Sequence, residues 1–253
     1  DDGKLDVSKI GRVKIILHRP IEGTIKTLTI KRTSTGKWFA SFACEIESSL
    51  LPENSKVVGI DVGLAKFATL STGEAIENPR FFKKSEKALA KVQRRFAKEE
   101  KGTPDRRFRR KAVALTHEKT ANRRKDFAHK LSRNLVNDFG TICFEDLTIK
   151  TMVRGNLAKS IHDAAWTQLI SFTSNKAECA GRRFVLVNPR NTSKMCSRCG
   201  ALVEKELSIR VHNCPHCGLS LDRDWNAALN VLRLGLESLG TVPVEAPGFR
   251  RGE

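Results

Sequence analysis

No apolar run in this sequence is long enough to cross a membrane as a helix, which needs about 20 consecutive apolar residues. The first residue present is Asp1, and no signal peptide follows it, so we expect a processed chain or a piece of a longer protein. These features favour a soluble, cytoplasmic protein. Binding to a membrane surface is the weaker alternative, because the basic segments contain too few large apolar side chains to insert.

Acidic residues are scarce relative to basic ones, with 28 Asp and Glu against 46 Lys and Arg and a formal net charge of +18. This balance predicts a polyanionic partner, and nucleic acid is the first candidate. Tyrosine is absent, so any stacking on nucleobases would fall to Phe, Trp, His or Arg. The positive charge is concentrated in residues 80–133, which contain 20 Lys and Arg but only 6 Asp and Glu.

This basic segment predicts a helical hairpin over about residues 80–138. Ser85 is the expected N-cap of a first helix that ends near Glu100, and Gly and Pro within residues 101–105 separate it from the second helix. Solvated helix faces usually mix charges of both signs, so the one-sided charge favours nucleic-acid contact over a merely solvated face. The second helix carries apolar residues at steps of three and four, at Phe108, Ala112, Leu115, Phe127, Leu131 and Leu135. The candidate nucleic-acid-binding residues are Arg106, Arg107, Arg109, Arg110, Lys111, Arg123 and Arg124.

Four of the seven cysteines form two Cys-x-x-Cys pairs, Cys196 with Cys199 and Cys214 with Cys217. Each pair is followed by a glycine that permits a tight turn, and 14 residues separate the pairs. Four thiolates in a tetrahedron suit Zn²⁺ and leave no position open for a substrate, so we expect a structural zinc ribbon over residues 191–220. His212 and His216 are the weaker candidate ligands. The isolated cysteines, Cys44, Cys143 and Cys179, are interpreted as small core residues.

Alternating polar and apolar residues predict strands in the first 52 residues. Leu28 and Ile30 alternate with polar neighbours, every second residue from Trp38 to Ile46 is apolar, and residues 34–37 supply a turn. Such a hairpin is marginally stable alone, so we expect it to pack on further sheet.

Residues 53–190 predict an α/β core. Its expected strands are a central one ending at Asp61, two antiparallel ones over 66–70 and 74–77, and later ones over 141–147 and 184–187. A helix is predicted over 164–180 and another over 221–238, and residues 239–253 are rich in Pro and Gly and are expected to be disordered.

Three carboxylates stand at the ends of these elements. Asp61 and Glu145 each end an apolar strand, and Asp224 opens the last helix. If the fold brings them together, their repulsion would call for hard divalent cations such as Mg²⁺ or Mn²⁺. Such ions can activate a water and stabilise the leaving oxygen of a phosphodiester. Spacing alone is weak support, and Asp61 could simply begin a turn at a strand end.

Three motifs resemble the RuvC motifs of TnpB (OrfB), the transposon-encoded nucleases. They are Gly59-Ile60-Asp61-Val62-Gly63, Phe144-Glu145-Asp146-Leu147 and Asp222-Arg223-Asp224-Trp225-Asn226-Ala227-Ala228. The run from Asn191 through Cys199 to Gly200 is similar to the entry of that family's zinc ribbon. The resemblance extends from about Gly11 to about Gly235, with the motifs in the family's order.

The resemblance implies an RNase H-like (RuvC) domain, a guide RNA and metal-dependent cleavage of DNA in a prokaryotic cell, in a family related to compact type V CRISPR effectors. Asp61, Glu145 and Asp224 match the family's catalytic acids, and Asp222 is the runner-up for the third. Family members usually carry a recognition domain and the first part of a wedge β-barrel before the hairpin present here, so residues 1–52 correspond to the later part of that barrel. A DNA-binding regulator without cleavage, a truncated remnant and a zinc-ribbon interaction protein are the alternatives.

Overall fold

The computed structural model describes residues 3–47, 50–147, 158–206 and 208–240. They divide into two compact units, residues 1–48 and 49–253. The expected disordered tail beyond Gly240 lies outside the described residues.

The first unit consists of two antiparallel strand pairs, β1 (Lys4–Val7) with β2 (Gly11–Lys14) and β3 (Thr24–Arg32) with β4 (Trp38–Glu45). The predicted hairpin is confirmed, with Gly36 in the left-handed region at φ 88° inside the turn that joins β3 and β4. The predicted buried face is partial, because Phe42 is half-buried whereas Trp38 is 65% exposed. In the described part of this unit the pairs form separate two-stranded sheets, so the barrel stays a prediction.

The second unit is built on a five-stranded mixed sheet, which confirms the α/β class. Its strands are β5 (Val57–Val62), β6 (Lys66–Leu70), β7 (Ala75–Glu77), β8 (Thr141–Glu145) and β9 (Arg183–Val187). Their order across the sheet is β7-β6-β5-β8-β9. The first three strands pair antiparallel, as predicted, and β5, β8 and β9 run parallel.

The remaining elements of this unit are five helices and two short strands among the described residues. They are α1 (Phe81–Lys98), α2 (Pro104–Asp138), α3 (Ala158–Ala164), α4 (Trp166–Cys179), β10 (Val211–Asn213), β11 (Ser220–Asp222) and α5 (Arg223–Ser238).

Helices cover both faces of the central strands. Val58 and Ile60 of β5 belong to a core that includes Val136 of α2 and Leu169 of α4. The opposite face carries Cys143 of β8, in a second core with Val231, Leu232 and Leu236 of α5. Alternation along the strands therefore assigns each residue of β5 and β8 to one of these two layers.

Helix α5 lies against the sheet at Gly59. A methyl group at this position would lie 2.3 Å from the backbone oxygen of Ala228 and 2.4 Å from the backbone nitrogen of Leu232. Neither backbone atom can move without moving the helix, so the missing side chain is what allows this approach.

The predicted start of α1 is wrong. Helix α1 begins at Phe81 and not at Ser85, whose hydroxyl instead donates to the backbone oxygen of Phe81 inside the helix. The cap comes from Asp163 at the end of α3, which accepts from the backbone N–H of Phe82 at 2.7 Å. The helix predicted over 164–180 corresponds to α4, which begins after Ala165, a residue in the left-handed conformation with φ 55° that separates α3 from α4.

Helices α1 and α2 form the predicted hairpin, with Thr103 as the N-cap of α2. Part of the predicted apolar face is solvent-exposed, since Phe108 is 66% and Leu115 42% exposed, whereas Leu135 is buried. The interpretation of Cys143 as a core residue is confirmed, whereas Cys179 is exposed at the end of α4 and that part of the prediction is wrong.

Among the helices that the structure describes, none combines the length and the apolar character that crossing a membrane requires.

Candidate nuclease and metal sites

Asp61 and Glu145 lie side by side on adjacent parallel strands. The last pair of the β5–β8 register joins Ile60 to Phe144, and the two acids are the next residue on each strand. They follow Gly59 and Cys143 by two positions, so they share the sheet face that α5 covers. Glu145 is 7% exposed. The predicted convergence of these two acids is therefore a consequence of strand register.

The start of helix α5 brings Asp224 within electrostatic range of Asp61. Asp224 lies in the first turn, and its side chain is 14% exposed. Arg223 donates to its Oδ1 from both Nε and Nη2, each at 3.2 Å. A helix N-terminus favours negative charge, which offsets part of the cost of placing this carboxylate near two others.

Asp222, the alternative third acid, has a structural role. Its Oδ1 accepts from the backbone N–H groups of Asp224 at 2.9 Å and Trp225 at 3.2 Å, which makes it the N-cap of α5. Its Oδ2 accepts from Lys66 Nζ at 3.1 Å. Burial raises the pKa of Asp222, but these hydrogen bonds outweigh burial and hold it below the ordinary value.

Among the acids of this cluster, the neighbouring charges affect mainly the pKa of Asp61. Burial raises the pKa of Asp61 well above its ordinary value. The charges of Glu145 and Asp224 raise this pKa further, whereas the guanidinium of Arg223 lowers it. Burial also raises the pKa of Glu145, and a hydrogen bond from Thr192 opposes the shift. Burial and the neighbouring carboxylates therefore both disfavour the charged form of Asp61 in the metal-free protein.

The four cysteines form a compact group. One ligand atom from each lies within 4.8 Å of the others, and among the described residues no other group of three or more potential ligands is this compact. The Sγ atoms of Cys196 and Cys217 are 3.6 Å apart, as are those of Cys199 and Cys214. Tetrahedral zinc with Zn–S bonds of about 2.3 Å places sulfurs about 3.8 Å apart, so the group fits such an ion.

The backbone builds the two cysteine turns in the same way. The N–H of Gly200 donates to the backbone oxygen of Cys196 at 2.9 Å, and that of Gly218 donates to Cys214 at the same distance. Both glycines adopt left-handed conformations, with φ 76° and φ 70°. A side chain would be strained there, which explains the glycine after each Cys-x-x-Cys pair. His212 and His216 are not part of the group.

The predicted basic residues divide into two classes. Four are exposed on α2, namely Arg107, Arg110, Lys111 and Arg123. The other three are engaged within the protein. Arg106 donates to the backbone oxygen of Glu99 at 2.6 Å, Arg109 pairs with the Glu99 carboxylate at 3.3 Å, and Arg124 donates to the backbone oxygen of His162 at 2.8 Å.

Comparison with known proteins relates this chain to a family. Residues 41–156 match the OrfB_IS605 model, described as "Probable transposase", and residues 166–231 match the "Cas12f1-like, TNB domain" model. A protein of Streptomyces pristinaespiralis named "Putative RNA-guided DNA endonuclease" is 39% identical, over 93% of this chain and 60% of its own length. The chain is similar to the OrfB (TnpB) family over these two regions, which together make up most of its length.

Two further relatives show the same similarity. InsQ of Escherichia coli K12, which has the same description, is 28% identical over 93% of this chain and 63% of its own length. The Cas12f1 endodeoxyribonuclease of Sulfoacidibacillus thermotolerans is 27% identical over 87% of the chain and 56% of its own length. The chain thus spans about three fifths of these relatives.

A solved structure has a similar fold. The Cas12f1 chain in a complex with its guide RNA and target DNA superposes with a TM-score of 0.51, at 21% identity, over 81% of this chain and 55% of that chain. At this identity the likeness concerns the fold alone.

Sequence reasoning about this chain missed residues that contact Glu145 or fasten the loop before the cysteine segment. Thr192 contacts Glu145, and two buried asparagines of α5, Asn226 and Asn230, bond the loop that enters the cysteine segment. Asn226 is part of the last motif, and Thr192 is part of the run leading into the first cysteine pair. The signal was therefore present, but a sequence does not say which backbone a buried amide will contact.

Proposed function

We propose that this chain is the nuclease part of an RNA-guided DNA endonuclease and hydrolyses DNA phosphodiesters. The observation that carries the proposal is the adjacency of Asp61 and Glu145 at the ends of paired parallel strands, within electrostatic range of Asp224. The exposed basic residues of α2 support it. The names of the relatives support the reaction class, and the strand order supports an RNase H-like core.

Asp61, Glu145 and Asp224 would hold divalent cations, Mg²⁺ or Mn²⁺. Carboxylate oxygens are the ligands that these ions prefer, and the charges of Glu145 and Asp224 add to burial in raising the pKa of Asp61. Bound at this cluster, such ions would activate a water and stabilise the charge on the leaving oxygen.

The chain's own side chains define the orientation of the acids. Arg223 fixes the carboxylate of Asp224 with two donors, and Thr192 does the same for Glu145 with one. Both carboxylate oxygens of Asp222 already accept hydrogen bonds, one from Lys66 and the other from the backbone of α5. Asp224 is therefore the better candidate for the third acid that binds a cation. This division of roles supports the assignment of Asp224 over Asp222.

The exposed basic residues of α2 would bind the phosphates of the nucleic acid. Arg107, Arg110, Lys111 and Arg123 make this surface. Arg106, Arg109 and Arg124 contribute charge near it while their hydrogen bonds secure the hairpin and α3. The partners would be DNA and, in the full-length protein, a guide RNA.

The cysteine group would hold one structural zinc ion. Four sulfur ligands complete a tetrahedron, so the ion would stabilise the fold of its segment and take no part in the reaction. Strand β11 ends at Asp222, which caps α5, so the fold of this segment bears directly on the position of Asp224.

The test is cleavage of labelled DNA by the full-length protein with its guide RNA and Mg²⁺. Replacing Asp61, Glu145 or Asp224 with alanine should each abolish cleavage and leave binding of nucleic acid largely intact, because the lost interaction acts in the transition state. Double variants should be no worse than single ones, because the residues act as a unit. Glu74, exposed in the turn before β7, is the matched control, and Glu74→Ala should cleave normally. Cleavage that survives in all three variants would refute the proposed site. Tight binding without cleavage by the wild type would indicate a DNA-binding regulator instead.

A further inference from the structure

The hydroxyl of Thr192 lies 2.5 Å from Oε1 of Glu145 and 3.0 Å from the backbone oxygen of Pro189, and we assign its single proton to the shorter contact with Glu145. Thr192 is 3% exposed, and Glu145 is 7% exposed, so water cannot readily replace this hydrogen bond. Hydrogen bonds to a charged acceptor are stronger than those between neutral groups, and burial of both partners preserves that strength. The contact joins β8 to the loop that leads into the cysteine segment, and the two residues are 47 positions apart.

The backbone around Thr192 is also fixed by hydrogen bonds. Its backbone oxygen accepts a hydrogen bond from Asn230 Nδ2 at 2.8 Å, and the same amide donates to the backbone oxygen of Met195 at 2.7 Å. Asn230 is fully buried on α5, the helix that carries Asp224. Asn191, the residue before Thr192, has φ 66°, a strained conformation for a residue with a side chain. Such strain persists where surrounding contacts determine the backbone, so the position of the hydroxyl is well defined.

A second buried amide extends the connection to the cysteine group. Asn226 Nδ2 donates to the backbone oxygen of Met195 at 2.8 Å, and its Oδ1 accepts from the backbone N–H of Ser197 at 2.9 Å. Ser197 lies between Cys196 and Cys199. The loop from Thr192 to the first cysteine pair is therefore fastened to α5 at both of its ends.

We propose that Thr192 is a positioning residue for the metal-binding carboxylate of Glu145. Its hydroxyl engages Oε1 and fixes the rotation of the carboxylate, so that Oε2 is presented to the cation. This inference rests on the proposed nuclease function. The inference goes beyond that function because it assigns a role to a residue outside the three acids. It also implies that the loop before the cysteine segment helps to position the acidic cluster.

Removing the hydroxyl should weaken metal binding more than it weakens the fold. Groups that orient a metal ligand typically change metal affinity or activity 10- to 100-fold when they are lost. Thr192→Val keeps the branched shape and removes the donor, whereas Thr192→Ser keeps the donor. The matched control is Thr173→Val, which also removes a fully buried hydroxyl, but one that donates to the backbone oxygen of Leu169 within α4.

The experiment measures the dissociation constant of Mn²⁺ by electron paramagnetic resonance, together with the DNA cleavage rate of the full-length protein with its guide RNA. The site of interest is the Mn²⁺ binding that Glu145→Ala abolishes. Thr192→Val should weaken that binding and slow cleavage at least tenfold, Thr192→Ser should stay within about threefold of the wild type, and Thr173→Val should match the wild type. If Thr192→Val does not fold, Thr192→Ala gives the same comparison with a smaller side chain.

The outcomes separate this inference from the function on which it rests. Wild-type Mn²⁺ affinity in Thr192→Val, with binding lost in Glu145→Ala, would overturn the role of Thr192 alone. Equal losses in Thr192→Val and Thr192→Ser would also overturn it, because the hydroxyl would not be the cause. Normal Mn²⁺ binding and cleavage in Glu145→Ala would overturn the proposed function itself.

Discussion

Lys66 and Asp222 form an ion pair at 3.1 Å between β6 and the start of α5. The pair ties the first antiparallel strands to the last helix, across 156 positions of the chain. Because the other oxygen of Asp222 caps α5, both oxygens of this carboxylate are engaged. Two acids that are two residues apart in one motif thus have different roles, one structural and one directed at the cluster.

This division predicts opposite effects of two alanine substitutions. Asp222→Ala should reduce the free energy of unfolding by about 0.5–2 kcal/mol, the usual range for loss of an N-cap, and should keep more cleavage activity than Asp224→Ala. Asp224→Ala should abolish cleavage, and its effects on stability should oppose each other, because it removes one member of a repelling group but also the partner of Arg223. Urea denaturation and DNA cleavage measure the two quantities. Cleavage that survives in Asp224→Ala and is lost in Asp222→Ala would reverse the assignment.

The cysteine group predicts one tightly bound zinc ion per chain. Cys214→Ser should release it, lower the melting temperature and expose the backbone amides of residues 195–220 to exchange, because metal binding and folding of the segment are coupled. Cys179→Ser is the control, since Cys179 is an exposed cysteine outside the group, and it should change neither quantity. Elemental analysis gives the zinc content and hydrogen exchange gives the protection. Protein purified without chelator that contains no zinc would contradict the prediction.

The two classes of arginine on α2 predict different losses. Replacing Arg107, Arg110 and Lys111 with alanine should weaken nucleic-acid binding and reduce the slope of log K against log salt by about 0.7–0.9 per lost phosphate contact. Arg106→Ala should lower thermal stability as well, because Arg106 closes the hairpin at Glu99 and lies over the ring of Phe96 at 4.4 Å. Binding measured at several salt concentrations tests the first effect. A slope that does not change in the triple variant would mean that the surface is merely solvated.

The strands of the core and the position of Asp61 could be predicted because both depend on local patterns. A short apolar run, a turn and a glycine are visible in the sequence, and alternation assigns the faces. The start of α1 could not be predicted, because its cap is Asp163, about 80 residues away along the chain. Ser85 has the right chemistry for a cap, but it lies five residues after the N-cap position, which is Arg80. Local chemistry offers candidates, and tertiary contacts choose among them.

The candidate site, like the fold, could be predicted from the sequence only in part. The sequence motifs name the acids and the four cysteines, because those residues must have particular chemistry at particular spacings. Thr192 and Asn226 lie within the quoted motifs and Asn230 lies outside them, but a buried threonine or asparagine can satisfy many different backbones, so the sequence does not say what each one contacts. The exposure of Phe108 was missed for the opposite reason, because helical periodicity predicts which face is apolar but does not supply a partner for it.

The close approach of α5 to the sheet predicts that Gly59→Ala is harmful. The added methyl group would lie 2.3 Å from the backbone oxygen of Ala228, so the helix must shift. We expect a loss of stability of about 1–3 kcal/mol from overpacking, and slower cleavage because α5 carries Asp224. Gly63→Ala is the control, since its methyl group would meet only the backbone oxygen of Lys66, at 3.1 Å. Equal melting temperatures for the two variants would show that α5 can shift with little loss of stability.

The raised pKa of Asp61 predicts how the stability of the protein without Mg²⁺ depends on pH. A carboxyl group whose pKa is higher in the folded state stabilises the fold at pH values below its ordinary 3.8, and this contribution is lost as the pH rises through the raised value. Asp61→Asn removes the charge, so at pH 7 without Mg²⁺ this variant should melt at a higher temperature than the wild type, and the difference should shrink as the pH falls. Added Mg²⁺ should stabilise the wild type and have little effect on Asp61→Asn. Melting curves between pH 4 and 8, recorded without chelator so that the cysteine site keeps its ion, test this directly. The contrary result would be a wild type that is more stable than Asp61→Asn at pH 7 without Mg²⁺. It would mean that the charge of Asp61 is already neutralised within the protein. The electrostatic reason for a cation at this cluster would then be removed.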